Sequence, residues 1–170
     1  MRMNPSIGIP ASDLINGLHE KELAELFWKL GEEYLSRQIA KAIVLYRINH
    51  PITTTNKLAK VVLTVHKRTA NDRTHPATRV FQALRIAVND ELNALKESLP
   101  QALNILPSQG RIAVISFHSL EDRIVKDFFN QTVTEGLSTA LTKKPVTPTP
   151  QEILGNPRSR SRKLRAIQKN

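Results

Sequence analysis

The hydrophobic positions repeat at helical spacing as far as residue 106 and change to short β-branched runs after it. From Glu20 to Leu30, the residues Leu23, Leu26, Phe27 and Leu30 lie on one face, and Gly31 is expected to end that helix. A shorter helix before it, after a turn region at Pro5–Pro10, has Ser12 as its candidate cap. A third is predicted from Glu32 to Ile48, with Leu35, Ile39, Ala42, Ile43 and Tyr46 inward and His50-Pro51 as the stop. Thr53-Thr54-Thr55 offers a cap for a fourth, Asn56–His66, with Leu58, Val61, Val62 and Val65 inward. The polar run Lys67–Thr74 then reads as the domain boundary, giving an all-helical subdomain over 1–72 and a second region over 73–170. The longest periodic run starts at His75-Pro76-Ala77-Thr78 and carries Phe81, Leu84, Val88, Leu92, Leu95, Leu99, Leu103 and Leu106. It predicts one helix, or two that meet at Pro100.

The chain pivots on Gly110–Phe129. Arg111–Ser116 is a β-branched apolar run and predicts a buried strand. Ser119 to Asp122 has the spacing of a capping box, and Ile124, Val125, Phe128 and Phe129 give the helix that follows its inward face. The order is strand, polar turn, helix. In open α/β sheets the carboxyl end of such a strand is where ligands bind, and here it carries Ser116, His118 and Ser119. The plainer reading of Ser119 is a helix cap, and that of His118 a polar turn residue. Beyond this, Gln131–Leu141 is polar and weakly patterned. Lys143–Pro150 is expected to hold one short strand, Asn156–Arg162 a basic loop, and Lys163–Lys169 a last strand. One good strand and two weak ones do not complete an α/β domain, so the sheet is expected to be finished by another chain or to belong to a fragment.

Composition narrows the function classes. No apolar run approaches the roughly 20 residues of a membrane span, which makes a cytoplasmic protein the default. The absence of cysteine removes disulfides, thiolate metal sites and cysteine nucleophiles. The net charge of +10 is unevenly spread: residues 37–85 carry ten Lys or Arg against Asp72 alone, and the last fifteen residues carry six and no acid. Two separated basic stretches point to a polyanion, most commonly nucleic acid, with a solvated basic surface as the alternative. Arg79 and Arg85 sit near the start of a predicted helix, where the dipole disfavours cations unless an anion is close. Trp28, the sole tryptophan, reads as core or interface filler ahead of base stacking. The six glycines are scattered, so no Gly-rich phosphate or dinucleotide loop exists, and no His/Asp/Glu cluster has metal-ligand spacing.

Several stretches, in order, carry a family resemblance: RMNP at 2–5, GEE at 31–33, RQIAKAI at 37–43, PITTT at 51–55, HPATRVFQALRI at 75–86, SFHSLEDR at 116–123 and NPRSRS at 156–161. Together they resemble the bacterial small-subunit ribosomal RNA cytosine-N4 methyltransferases over nearly the whole chain. Asn4 stands where that family usually has aspartate, and Tyr34-Leu35 where it usually has Arg-Phe. The resemblance implies a class I, Rossmann-like methyltransferase fold with a helical insertion between the fourth and fifth strands. Residues 1–72 would be the insertion and 73–170 the last strands of the catalytic sheet. It also implies that the first four strands, with the S-adenosylmethionine loop, are not in this chain.

The implied reaction is S-adenosylmethionine-dependent methylation of one cytosine N4 in 16S-type rRNA, on a flipped or single-stranded base and without metal. The implied partners are that rRNA or the small ribosomal subunit and a separate N-terminal methyltransferase fragment. No membrane is involved, and a homodimer is left open. Candidate RNA contacts are Arg37, Lys41, His75, Arg79, Arg85, Arg123, Arg158 and Arg160, with Ser116, His118 and Ser119 lining the base pocket; no catalytic residue is assigned. Salt bridges are the competing role for the arginines. Two other functions compete: an RNA-binding remnant without methyl-donor site, and a helical protein-interaction module using the Phe81–Leu106 stripe.

Overall fold

A computed structural model describes residues 1–4, 8–70 and 74–170. The Pro5–Ile7 part of the expected turn, and the boundary drawn at 72/73, lie outside the described residues. By packing, the chain divides into two compact units, Met1–Glu91 and Leu92–Asn170.

The first unit is helical: α1 (Ala11–Gly17), α2 (Glu20–Gly31), α3 (Ser36–Arg47), α4 (Thr55–Val65) and α5 (Thr78–Asn89). The predicted stripes form its core, with Leu23, Phe27, Ile39, Ile43, Leu58 and Val62 buried. The core also takes Ala77 and, from α5, Val80, Ala83 and Leu84, although the periodicity groups that helix with the later part of the chain. Polar side chains fix the links. Asn16 exchanges two hydrogen bonds with the Ile52 backbone, at 2.9 and 3.0 Å. Arg47 donates to the carbonyls of Ile15 and Leu18 at the carboxyl end of α1, where the dipole favours a cation.

Two boundaries differ from the periodicity, and a third agrees in place but is closed by another residue. Ser12 lies inside α1, whose N-cap is Pro10. Gly31 is the last residue of α2, as expected, but it is itself helical, and Glu32 after it takes the left-handed conformation at φ 50°. Gly31 is needed for another reason: a Cβ there would sit 2.6 Å from the Arg79 carbonyl oxygen of α5. The third helix starts at Ser36 rather than Glu32, because Glu32–Leu35 is a tight turn. In it the buried Glu33 accepts from the Leu35 amide with its side chain (3.0 Å) and from the Ser36 amide with its carbonyl (3.1 Å).

In the second unit α6 (Glu91–Ile105) precedes β1 (Arg111–Ser116), α7 (Ser119–Thr134), β2 (Ser138–Ala140), α8 (Pro150–Gly155), a 3-10 helix (Pro157–Ser161) and β3 (Lys163–Lys169). The long periodic run does break into two helices. The break falls at Asp90, left-handed at φ 49°, and not at Pro100, which lies inside α6. The three strands form one antiparallel sheet in the order β1-β3-β2. Leu99, Leu103, Val125, Phe129 and Ile167 make a core on one face of it, joined by Ile112 and Val114. The weak strand expected at Lys143–Pro150 is reduced to a single bridge, Val146 to Leu164, and the short strand lies at Ser138–Ala140. Three prolines limit the first stretch, whereas Ser138 is held by a buried hydroxyl pair with Thr132, 2.8 Å. The architecture is thus mixed α/β, mostly helical, with a small three-stranded antiparallel sheet. Among the described residues no helix is long and apolar enough to cross a membrane.

Candidate functional site

The turn after β1 is built by a capping box one residue earlier than the spacing suggested. His118, not Ser119, is the N-cap of α7, and its partner is Glu121. The Glu121 amide donates to His118 Nδ1 (3.4 Å), while the Glu121 carboxylate accepts from the Phe117 amide (2.7 Å) and the His118 amide (3.3 Å). Glu121 Oε1 also lies 3.2 Å from His118 Nε2, close but not well aligned for a hydrogen bond. Burial raises the Glu121 pKa, yet the His118 imidazole and the Phe117 amide outweigh it and hold the carboxyl below its usual range.

Asp122 is released from capping because β3 claims it. Arg165 donates to it twice (2.7 and 3.2 Å) and Lys163 once (3.1 Å). The hydrogen bond from Arg165 is the main cause of its lowered pKa; burial opposes it, and Lys163 adds to the lowering.

Antiparallel pairing sets Ser116 opposite Lys163 and so brings two distant motifs together, the FHSLED turn and the NPRSRSR loop. The Arg162 guanidinium lies 4.7 Å from the Phe117 ring centroid, a cation–π contact. Ser116 is buried, and among the described residues neither its Oγ nor Arg162 Nε has a hydrogen-bond partner. Such orphaned buried groups are uncommon in folded chains. Ser159, fully buried, donates to the Asn156 carbonyl (2.8 Å) and leaves Arg158 and Arg160 exposed on either side. Ser119 and Arg123 are exposed on the first turns of α7. Phe117, Arg162, Lys163 and Arg165 were not among the candidates from the sequence. Alternation at Lys163 and Arg165 was the one available signal, and without the strand register it points nowhere.

The other candidates belong to the helical unit. Arg37 and Lys41 are exposed one turn apart on α3. His75 accepts from the Ala77 amide at Nδ1 (3.1 Å), which shapes the entry to α5. Arg79 donates to the Glu32 carbonyl (3.0 Å) and lies 5.8 Å from the Tyr34 ring centroid. Arg85 is held by Glu91 through three contacts of 2.9–3.2 Å, the structural role that competed with phosphate binding.

S-adenosylmethionine needs a cradle, and the strand-to-helix turn does not offer one. It contains no glycine, and Glu121 already occupies the Phe117 and His118 amides that an anionic group would use.

The sequence matches the MraW methylase family over residues 1–170. It is similar to proteins named ribosomal RNA small subunit methyltransferase H: 49% identical over 169 residues to that of Acidobacterium capsulatum and 50% over 170 residues to that of Coprothermobacter proteolyticus. Each alignment covers 99% of this chain and 56% of the relative. The protein of that name from Koribacter versatilis is 51% identical over 168 residues, 98% of this chain and 53% of its own length. The chain therefore spans about half the length of the curated relatives it matches. On the strength of a match that runs from its first residue to its last, it belongs to the MraW methylase family.

Proposed function

We propose that this chain is the RNA-recognition and C-terminal core portion of a small-subunit rRNA methyltransferase, acting on the N4 of a cytosine in 16S-type rRNA. The observation that carries this reading is β1. Its outer edge has no strand partner among the described residues, and its second face leaves Ala113 and Ile115 exposed. An unpaired edge of apolar, β-branched residues is a template for a further strand, which the other half of a class I sheet would supply. The carboxyl end of the same strand carries the orphaned Ser116 Oγ, the partnering strand β3 is preceded by Arg162 with its orphaned Nε, and the exposed Arg158 and Arg160 lie just before that on the same loop. In this reading Ser116 and Arg162 face the unstacked base, and the loop arginines hold neighbouring phosphates. Arg37, Lys41 and Arg79 supply further phosphate contacts from the helical unit.

S-adenosylmethionine supplies the methyl group when bound, and the residues here do not fit it. The donor site therefore belongs to the half of the enzyme that this chain does not span. The absence of a donor cradle equally favours a second reading, an RNA-binding remnant without activity.

Complementation separates the two. The chain is mixed with a polypeptide corresponding to the other half of a relative, small ribosomal subunits and tritiated S-adenosylmethionine. Label entering cytosine with the pair, and not with either part alone, is the expected result. A pair that assembles on the subunit but transfers no label supports the remnant, and methylation by the 170-residue chain alone would overturn the division proposed.

A further inference from the structure

The helical unit carries a concavity of about 510 Å³ formed by one face of α2, the Glu32–Leu35 turn and the start of α3. Its walls include two aromatic side chains, Trp28 and Tyr34, which are 59% and 61% exposed. Lys21 and Arg37 line the same hollow, and Gln38 adds an amide. The Arg79 guanidinium lies against Tyr34. Among the described residues Glu25 is the one acid in the lining, and Lys29 pairs with it at 2.9 Å. The charge left over is positive.

Two exposed aromatics in one cationic hollow offer a flat apolar surface, and the turn that mounts Tyr34 is held in place. Gly31 lets α2 approach the Arg79 carbonyl; Arg79 holds the Glu32 carbonyl; Glu33, buried, holds the two amides after Tyr34. The His66 ring meets Tyr34 edge-on at 6.2 Å. A tyrosine fixed from three directions yet left open to solvent loses little entropy on binding a flat partner.

We propose that this hollow is a stacking platform for unpaired RNA bases, Trp28 and Tyr34 receiving base faces while Lys21, Arg37 and Arg79 meet the flanking phosphates. The assignment rests on the RNA-binding reading above and adds the class of segment bound: single-stranded, with unstacked bases. Paired aromatics inside a cationic groove are what sequence-tolerant single-strand binding requires. A duplex presents phosphates but no free base faces.

Because Trp28 is the sole tryptophan, its emission reports on the platform directly. The whole chain is titrated with a labelled, unstructured oligopyrimidine RNA of about a dozen nucleotides, and label anisotropy is read together with tryptophan emission. Saturable quenching that tracks the anisotropy is expected. Trp28→Ala and Tyr34→Ala should each weaken binding about tenfold, Trp28→Phe should restore most of it, and circular dichroism should be unchanged in all three. The same strand in a duplex should leave the emission as it was. RNA that binds without quenching, and with equal affinity for both alanine variants, overturns the platform and leaves the RNA-binding reading standing. Failure to bind any RNA overturns both. Emission that shifts with protein concentration alone identifies a second copy of the chain as the occupant and overturns the platform.

Discussion

A carboxylate nine-tenths buried stays charged only if cations take the place of water, and Asp122 has two. Arg165, itself almost as buried, grips it in a fork, and the half-exposed Lys163 closes the set. Replacing Asp122 by Asn strands the Arg165 charge and is expected to lower stability by about 3 kcal/mol at pH 7. The folded pKa is depressed, so the stabilisation is present above the unfolded value of about 3.9 and is lost as pH falls through the folded one. Urea melts of both proteins should therefore differ most near neutrality, and the gap should begin to close only below about pH 4 and vanish once pH is below the folded pKa; a gap independent of pH would show that charge is not the cause. The same residue explains why capping fell to Glu121. Two carboxylates were available at adjacent positions, and the one facing β3 was taken by its cations.

Among elements, the α2–α5 approach and the start of α7 carry the sharpest expectations. Gly31→Ala retains helical backbone but drives a methyl into the Arg79 carbonyl, so the helices must separate at a cost of about 1–3 kcal/mol. Thermal melting of that variant, beside Gly17→Ala, whose Cβ would meet nothing within 4 Å, measures the steric cost against a control. At α7 the His118 side chain caps and also stands beside the candidate pocket. His118→Ala should lower stability by about 1 kcal/mol, while His118→Asn, a good cap, should restore it. If RNA affinity follows stability through both variants, His118 is a cap and no more. Affinity lost in both gives the imidazole a role at the RNA.

For the molecule as a whole, charge distribution matters more than net charge. Lys163 and Arg165 are engaged by Asp122, and Arg85 by Glu91, so the cations offered to a polyanion are a subset of those in the composition. If Arg158 and Arg160 meet phosphates, the double alanine variant should reduce the slope of log K against log salt by roughly 1.4 for single-stranded RNA. Filter binding between low and moderate salt reads this directly. An unchanged slope would remove the loop from the interface.

The order of amino acids determined the helical stripes, the strand at Arg111–Ser116, the basic stretches and the family motifs. All of these depend on neighbours within a turn or two, or on motif identity, and need no tertiary partner. It also showed that strands would be few, because strand-forming runs can be counted. It misplaced a cap by one residue and a break by ten: Ser119 for His118, Pro100 for Asp90. At each site several residues were chemically able to serve, and contacts from remote segments chose among them. Only the folded chain could set Arg162 over the Phe117 ring, join Asp122 to Arg165, and place Trp28 and Tyr34 in one hollow. Those pairings come from antiparallel register and helix packing, which bring together residues that no local period connects.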